Sequence, residues 1–168
     1  MSKASGAVVF SHGKESGPWG SKITAMAEAA RDLQFTVLSI DYRGMDDPAD
    51  RVRKLIAECG ALDAPPVLVG SSMGGHVAAA ASSQLRAAGL FLLAPAFYMQ
   101  GYEEYTPQEV ACPTAIVHGW RDDIVPVDNA LRWAREHRAA LHVFDSDHRL
   151  EDHIGPICRL LRDFLSAI

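Results

Sequence analysis

Cysteine is scarce in this 168-residue chain, and basic residues are fewer than acidic ones. Cys59, Cys112 and Cys158 are isolated from one another, and no C-x-x-C pair occurs. An odd number of isolated cysteines favours reduced thiols over a disulfide framework. Sixteen lysines and arginines against 21 aspartates and glutamates leave a net charge of −5, which argues against nucleic acid or an anionic membrane as a partner.

Several common motifs are also missing. No apolar run is long enough to span a membrane, and the apolar stretch near the start is too short for a signal peptide. Neither G-x-x-x-x-G-K-[ST] nor G-x-G-x-x-G occurs, so phosphate binding by a glycine-rich loop is not indicated. No histidines stand at H-x-x-x-H spacing beside a carboxylate, and we expect no metal and no cofactor. These absences predict a cytoplasmic protein.

Short apolar runs alternate with amphipathic stretches along the whole chain, which predicts an α/β fold. Length and a hydrophobic content of 48% predict one domain, residues 1–168. We expect a mainly parallel six-stranded sheet covered by helices on both faces, a three-layer α/β/α sandwich. Strands are predicted at 7–10, 36–40, 66–70, 90–94, 114–118 and 141–144, and helices at about 23–30, 48–59, 73–88, 127–137 and 154–167.

A glycine-rich segment, G-S-S-M-G-G at 70–75, lies between the third predicted strand and the third predicted helix. G-x-S-x-G in this context describes a nucleophile elbow, a turn so tight that the positions two before and two after the serine tolerate no side chain. Ser72 has Gly70 and Gly74 at those positions, whereas Ser71 would have a valine and a methionine. Ser72 is therefore the candidate nucleophile, and Ser71 a small space-filling residue.

Serine, aspartate and histidine follow three different predicted strands. The carboxyl ends of parallel strands meet at one edge of a sheet, so the loops that follow the strands lie together. Asp122 and Asp123 follow the fifth strand, and His148 and His153 follow the sixth. The chain order at this edge is thus Ser, Asp, His. Spacing alone does not separate Asp122 from Asp123.

The chain resembles the α/β-hydrolases from about residue 6 to its C-terminus. The resemblance rests on S-H-G in the first loop, D-Y-R-G at 41–44, G-S-S-M-G-G at 70–75, H-G-W-R-D-D-I-V-P at 118–126 and a late histidine. The first two strands usual in the family and its large cap have no counterpart here. The chain is similar to the compact, capless, esterase-like bacterial members, and this implies a minimal α/β-hydrolase fold.

The resemblance also assigns the acid and the base. The family's acid corresponds to Asp122, the fifth position of H-G-x-x-D-x-x-V-P, with Asp123 as the alternative. The family's base corresponds to His148, with His153 as the alternative. The family often has glycine immediately before this histidine, and Asp147 stands there in this sequence.

An oxyanion hole needs two N–H groups directed at the developing charge. One is expected from the backbone of Met73, directly after the candidate nucleophile. The resemblance implies that the other is the backbone N–H of Lys14, which follows H-G in the first loop. The histidines of the two H-G turns, His12 and His118, are expected to brace their loops.

Residues 95–113, between the fourth and fifth strands, are too short for a helical lid but rich in aromatic side chains. Aromatic faces with polar tips suit a half-wet cleft, so we predict a shallow substrate pocket beside Ser72. Phe97 could equally well only cover the sheet edge. The predicted pocket residues are Trp19, Tyr98, Tyr102, Tyr105 and Trp120.

These residues together predict a serine hydrolase that cleaves small carboxylic esters through an acyl-enzyme. A dehalogenase or an epoxide hydrolase of this fold would have a carboxylate at the elbow in place of Ser72. A thioesterase or an amidase could use the same Ser-His-Asp triad, and a non-catalytic interaction protein could keep the same fold. The expected partner is a small ester, with neither nucleic acid nor membrane, and the chain is expected to be a monomer or a homodimer.

Overall fold

The computed structural model describes residues 6–168, and the first five residues of the predicted domain lie outside this range. Six strands form one sheet in the order β2-β1-β3-β4-β5-β6, with every neighbouring pair parallel. Within residues 6–168 no helix has the length and apolar character needed to cross a membrane. The strands are β1 (Ala7–Ser11), β2 (Thr36–Ile40), β3 (Val67–Ser71), β4 (Gly89–Leu93), β5 (Thr114–Gly119) and β6 (Ala140–Phe144), and the helices are α1 (Ser21–Asp32), α2 (Pro48–Cys59), α3 (Met73–Ser82), α4 (Val127–His137) and α5 (Ile154–Ser166).

The helices form one layer on each face of the sheet. Alternate strand residues point to opposite faces, so Val8 and Phe10 pack with α1 and α5 while Val9 packs with α2, α3 and α4. Both faces of the central strands are buried, which is why their sequences are continuous apolar runs rather than alternating patterns. This arrangement confirms the predicted three-layer α/β/α sandwich.

Each predicted strand agrees with the structure to within one residue at either end. The second helix also begins as predicted, because the Asp47 side chain accepts a hydrogen bond from the Ala49 amide at 2.9 Å and Pro48 occupies the first turn. The predicted third helix, 73–88, is too long, since α3 ends at Ser82. The chain turns there because Arg86 adopts a left-handed conformation (φ 51°) and the Ala87 N–H bonds back to the Ser82 carbonyl.

The strand order places the start of α3 beside the end of β1. From β1 the chain first moves outward to β2 and then returns across β1 to β3, where it continues in the other direction. The loops after β1 and β3 therefore start on neighbouring strands but lead to helices on opposite faces of the sheet. Such a reversal opens a crevice at the carboxyl ends of the strands, the usual ligand-binding position in parallel sheets.

The apolar stripe of α5 supplies a test of the packing. Ile157 is 1% exposed and lies in the core beneath the sheet, whereas Ile168, just beyond the helix, is 48% exposed. Ile157→Ala should lower the free energy of unfolding by about 2–5 kcal/mol, because it removes buried methyl groups and leaves a cavity. The matched variant Ile168→Ala should lower the free energy of unfolding by less than half as much. Urea unfolding of both variants measures the difference, and equal losses would contradict the packing of α5.

Candidate active site

Ser72 occupies the turn between β3 and α3 with φ 54° and ψ −119°, a backbone conformation that non-glycine residues rarely adopt. The turn requires close backbone contacts on both sides. A Cβ added to Gly70 would lie 2.4 Å from the Gly74 carbonyl oxygen, and one added to Gly74 would lie 2.0 Å from the Ser11 carbonyl oxygen. Both glycines thus stand where a side chain does not fit, as the steric argument from the sequence required. Ser71 is the last residue of β3.

A chain of hydrogen bonds connects Ser72, His148 and Asp122. His148 Nδ1 lies 2.7 Å from Asp122 Oδ2, and His148 Nε2 lies 3.0 Å from Ser72 Oγ. A carboxylate only accepts, so Nδ1 carries the proton and the Ser72 hydroxyl donates to the free Nε2. The two alternatives are placed elsewhere: Asp123 is exposed, and His153 stacks on Phe144 with ring centroids 4.8 Å apart.

The Asp122 carboxylate is fully buried and accepts four hydrogen bonds. Its Oδ1 accepts from the amides of Ile124 and Val125, at 2.9 and 2.8 Å, and its Oδ2 is shared by His148 and His118. Burial alone raises the pKa of Asp122, but the bonds from the two histidines and the two amides outweigh it. The pKa therefore lies well below its usual range, and the group stays ionised at neutral pH.

His118 contacts the acid directly, a contact that the sequence analysis did not predict. Its Nε2 lies 2.9 Å from the Val125 carbonyl oxygen and 3.1 Å from Asp122 Oδ2, so this nitrogen carries the proton. Its Nδ1 is buried and finds no hydrogen-bond partner within residues 6–168. His118 and Asp122 are the first and fifth positions of one motif. That spacing is the signal from which the contact could have been proposed.

Both backbone and side-chain contacts hold the loop that carries His148, and one of them is a hydrogen bond from Lys22 Nζ to the Arg149 carbonyl oxygen. A Cβ on Gly119 would lie 2.3 Å from the Ser146 carbonyl oxygen, and that oxygen accepts the Arg121 N–H at 3.0 Å. Asp147, which stands where the family often has glycine, has a backbone outside the left-handed region, and its side chain accepts the Arg149 N–H at 3.0 Å. An aspartate therefore fits this position without strain.

The two expected oxyanion donors are backbone N–H groups, one directly after Ser72 and one in the loop after β1. Met73 is the first residue of α3, and its N–H has no intrahelical partner, as at the start of any helix. Lys14 follows Gly13, which lies against the elbow: a Cβ on Gly13 would be 3.5 Å from Ser72 Cβ. The Lys14 side chain itself is exposed.

The predicted pocket aromatics divide into two groups. Four of them are exposed on loops that follow β1, β4 and β5: Trp19, Tyr102, Tyr105 and Trp120. The two tyrosine rings lie 6.4 Å apart, with Tyr105 in a short 3₁₀ helix and Tyr102 directly before it. Tyr98 instead packs into the core near α4, where its hydroxyl donates to Glu136 Oε2 at 2.6 Å. The exposed aromatic surface at this edge of the sheet therefore consists of the first four residues.

Phe97 is fully buried and stacks on Trp133 at a centroid distance of 4.8 Å, so it covers the sheet. Two shallow cavities, of about 340 and 260 Å³, lie at the opposite edge of the sheet from Ser72. Between residues 6 and 168 no cluster of three or more His, Cys, Asp or Glu side chains is arranged to hold a metal ion.

Comparison with protein-family models matches residues 8–166 to the alpha/beta hydrolase family. The chain belongs to this family, which supports hydrolase activity. Among solved structures it is similar, at 31% identity and a TM-score of 0.92, to a protein from Xanthomonas campestris pv. campestris assigned to the α/β hydrolase superfamily. The alignment covers 99% of this chain and 100% of the other.

Two more distant structures share the fold alone. Est1E from Butyrivibrio proteoclasticus aligns at 16% identity with a TM-score of 0.82, over 96% of this chain and 87% of its own. An α/β serine hydrolase without a lid from Xanthomonas campestris aligns at 16% identity and a TM-score of 0.79, over 99% and 84% of the two chains. No curated protein matches this sequence at a significant level.

The contact between Gly74 and the end of β1 supplies a test of the turn. Gly74→Ala should destabilise the protein by at least about 1–3 kcal/mol, because the new methyl group would overlap the Ser11 and His12 carbonyl oxygens. Gly20→Ala is the matched control, since a Cβ there meets nothing within 4 Å. Thermal unfolding of the two variants measures the effect. A Gly74→Ala protein as stable as the Gly20→Ala protein would rule out this close approach.

Proposed function

We propose that this protein hydrolyses small carboxylic esters through an acyl-enzyme formed on Ser72. One observation carries the proposal: Ser72 Oγ, His148 and the buried Asp122 are joined by hydrogen bonds of 3.0 and 2.7 Å. A nucleophile bonded to a base, with the base oriented by a third group, is the arrangement that activates a serine hydroxyl. Membership of the alpha/beta hydrolase family supports the same conclusion.

The proposed reaction has two halves. Ser72 Oγ attacks the ester carbonyl carbon while His148 Nε2 takes the hydroxyl proton, and the Met73 and Lys14 amides stabilise the resulting oxyanion. The C–O bond to the alcohol then breaks, and His148 returns the proton to the leaving alkoxide. A water molecule repeats the sequence on the acyl-enzyme, releases the acid and restores Ser72.

Asp122 remains ionised throughout this cycle. Its low pKa and its four hydrogen-bond donors keep the proton on His148 Nδ1, so Nε2 is free to act as the base. When His148 becomes an imidazolium, the buried carboxylate stabilises its charge. The proposed mechanism involves no cofactor.

The nucleophile has a direct chemical test. A fluorophosphonate probe should label the wild-type protein and leave Ser72→Ala unlabelled, because an activated serine oxygen attacks the phosphorus, releases fluoride and becomes phosphonylated. The same two proteins distinguish the enzyme from an interaction protein that keeps the fold without turnover. Absence of labelling in the wild type would favour the interaction protein. Thioester and amide substrates assayed in parallel separate an esterase from a thioesterase or an amidase.

Substitution of the three linked side chains should remove activity without unfolding the protein. Ser72→Ala and His148→Ala should each lower kcat by about 10⁴- to 10⁶-fold, because the unit acts as a whole. Asp122→Asn should lower kcat by about 10²- to 10⁴-fold, since the amide favours the wrong imidazole tautomer. The measurement is kcat with p-nitrophenyl acetate, with circular dichroism as the check on folding.

Two neighbours are the controls for these assignments. Asp123→Asn and His153→Ala should change kcat far less, because Asp123 is exposed and His153 lies against Phe144. A larger loss from Asp123→Asn than from Asp122→Asn would reject the proposed acid. Loss of activity in His153→Ala but not in His148→Ala would reject the proposed base.

The surroundings of Ser72 favour small, uncharged acyl groups. The exposed aromatics at this edge offer a shallow surface, and each methylene contributes about 0.8 kcal/mol only when it is fully buried. Glu103 and Glu104 are exposed on the same segment as Tyr102 and Tyr105 and repel anions. We therefore propose short-chain neutral esters as the substrate class.

A series of p-nitrophenyl esters tests this specificity. The value of kcat/KM should be highest for acyl groups of about two to six carbons and should not rise for longer ones, since added methylenes stay in water. Esters with an acidic acyl group should be poor substrates. A steady rise of kcat/KM out to long chains would demonstrate a deep acyl channel and contradict the proposal.

A further inference from the structure

Arg51 is a buried cation that the proposed mechanism does not use. It lies on α2 and is 1% exposed, whereas Arg53 on the same helix is exposed and pairs with Asp50. Within residues 6–168 Arg51 forms no ion pair with a carboxylate. Its guanidinium C lies 5.0 Å from the ring centroid of Tyr42. A buried charge without an ion-pair partner is costly, so the groups that accept its hydrogen bonds show which part of the structure it stabilises.

The partners of Arg51 are backbone carbonyls of the loops after β1 and β2. Nε donates to the Met45 carbonyl oxygen at 2.8 Å. Nη1 donates to the carbonyl oxygens of His12 and Gly13, at 3.1 and 3.2 Å. The rigid fork of the guanidinium thus holds three carbonyl groups in fixed positions. Two of them lie immediately before Lys14.

His12 supports the same carbonyl from the other side. The Tyr42 N–H donates to His12 Nε2 at 2.8 Å, so the proton of this ring is on Nδ1, which donates to the Gly13 carbonyl oxygen at 2.7 Å. Burial lowers the pKa of His12, which keeps the ring neutral and preserves this tautomer. The Gly13 oxygen therefore accepts from both His12 and Arg51.

The direction of the Gly13 carbonyl determines the direction of the next N–H. Gly13 C=O and Lys14 N–H belong to one planar trans peptide and point in opposite directions. Because the carbonyl points to the buried guanidinium, the Lys14 N–H points away from it. Hydrogen bonds accepted by the carbonyl also polarise the peptide and strengthen its N–H as a donor. Gly13 itself lies against Ser72.

We propose that Arg51 is the positioning residue of the oxyanion hole: its guanidinium fixes the Gly13–Lys14 peptide so that the Lys14 N–H faces the oxyanion formed at Ser72. This inference rests on the proposed ester hydrolysis and adds a residue far from the elbow in sequence. Arg51 acts through the peptide and does not touch the substrate. Arg51 therefore stabilises the transition state more than it stabilises the bound substrate.

The test compares Arg51→Met and Arg51→Lys with the control Arg53→Met, which makes the same change at an exposed position of α2. Arg51→Met should lower kcat by about 10- to 100-fold, somewhat less than complete loss of an oxyanion donor, and should leave KM within about twofold. Arg51→Lys keeps the positive charge but not the forked guanidinium, and its kcat should fall less than that of Arg51→Met. Arg53→Met should match the wild type.

A transition-state analogue separates positioning from a merely structural role. A short-chain trifluoromethyl ketone adds to the serine oxygen and places a hemiketal oxyanion in the hole. Its Ki should rise in Arg51→Met by the same factor by which kcat/KM falls. The melting temperature should change little, because an apolar residue of similar size replaces a buried charge that forms no ion pair within residues 6–168.

Wild-type kcat in both Arg51 variants, or an unchanged Ki alongside reduced activity, would overturn the inference. If Arg51→Met does not fold, the Arg51→Lys variant provides the test. Wild-type values of kcat and Ki in that variant would likewise overturn the inference. Failure of the proposed function gives a different pattern: the wild type then neither hydrolyses esters nor reacts with the fluorophosphonate. In that case the inference falls with it.

Discussion

The close approach of two backbones at Gly74 is the constraint on which the site depends. A single added carbon there would overlap the carbonyl oxygens of Ser11 and His12, so the start of α3 and the end of β1 are packed without intervening side chains. This contact places Ser72 beside the loop that carries Gly13 and Lys14. The left-handed φ of Ser72 follows from the same tight turn, and the packing around the glycines is what compensates its strain.

A second close approach aligns the other half of the site. Gly119 at the end of β5 lies against the Ser146 carbonyl, so the loops with Asp122 and His148 are joined through their backbones. Side-chain contacts then determine the protonation states. The carboxylate of Asp122 receives donors from two histidines and two amides, and its low pKa keeps the imidazole tautomer of His148 suited to accept the proton of Ser72.

Two buried charges of opposite sign thus support the loops around Ser72, and each is stabilised in a different way. The carboxylate of Asp122 is surrounded by N–H donors, and the guanidinium of Arg51 by carbonyl oxygens. His118 and His12, which the sequence suggested only as loop braces, are the imidazole rings that complete these two environments. The polar network therefore extends from Ser72 into the loops after β1 and β5. Its preorganisation is the form of electrostatic stabilisation that the proposed ester hydrolysis needs.

Local pattern by itself determined the strands, the start of α2 and the choice of Ser72 over Ser71, because burial on both faces, capping and the sterics of a tight turn depend on residues close in sequence. Spacing brought serine, aspartate and histidine to one sheet edge but left Asp122 and Asp123 equivalent, and only the family resemblance favoured Asp122. The tertiary structure places Asp122 against His148, and it alone decided that Arg51 reaches the first loop and that Tyr98 turns toward Glu136. These are pairings across 26 to 38 residues, and the periodicity of a strand or a helix carries no information about which distant groups will meet.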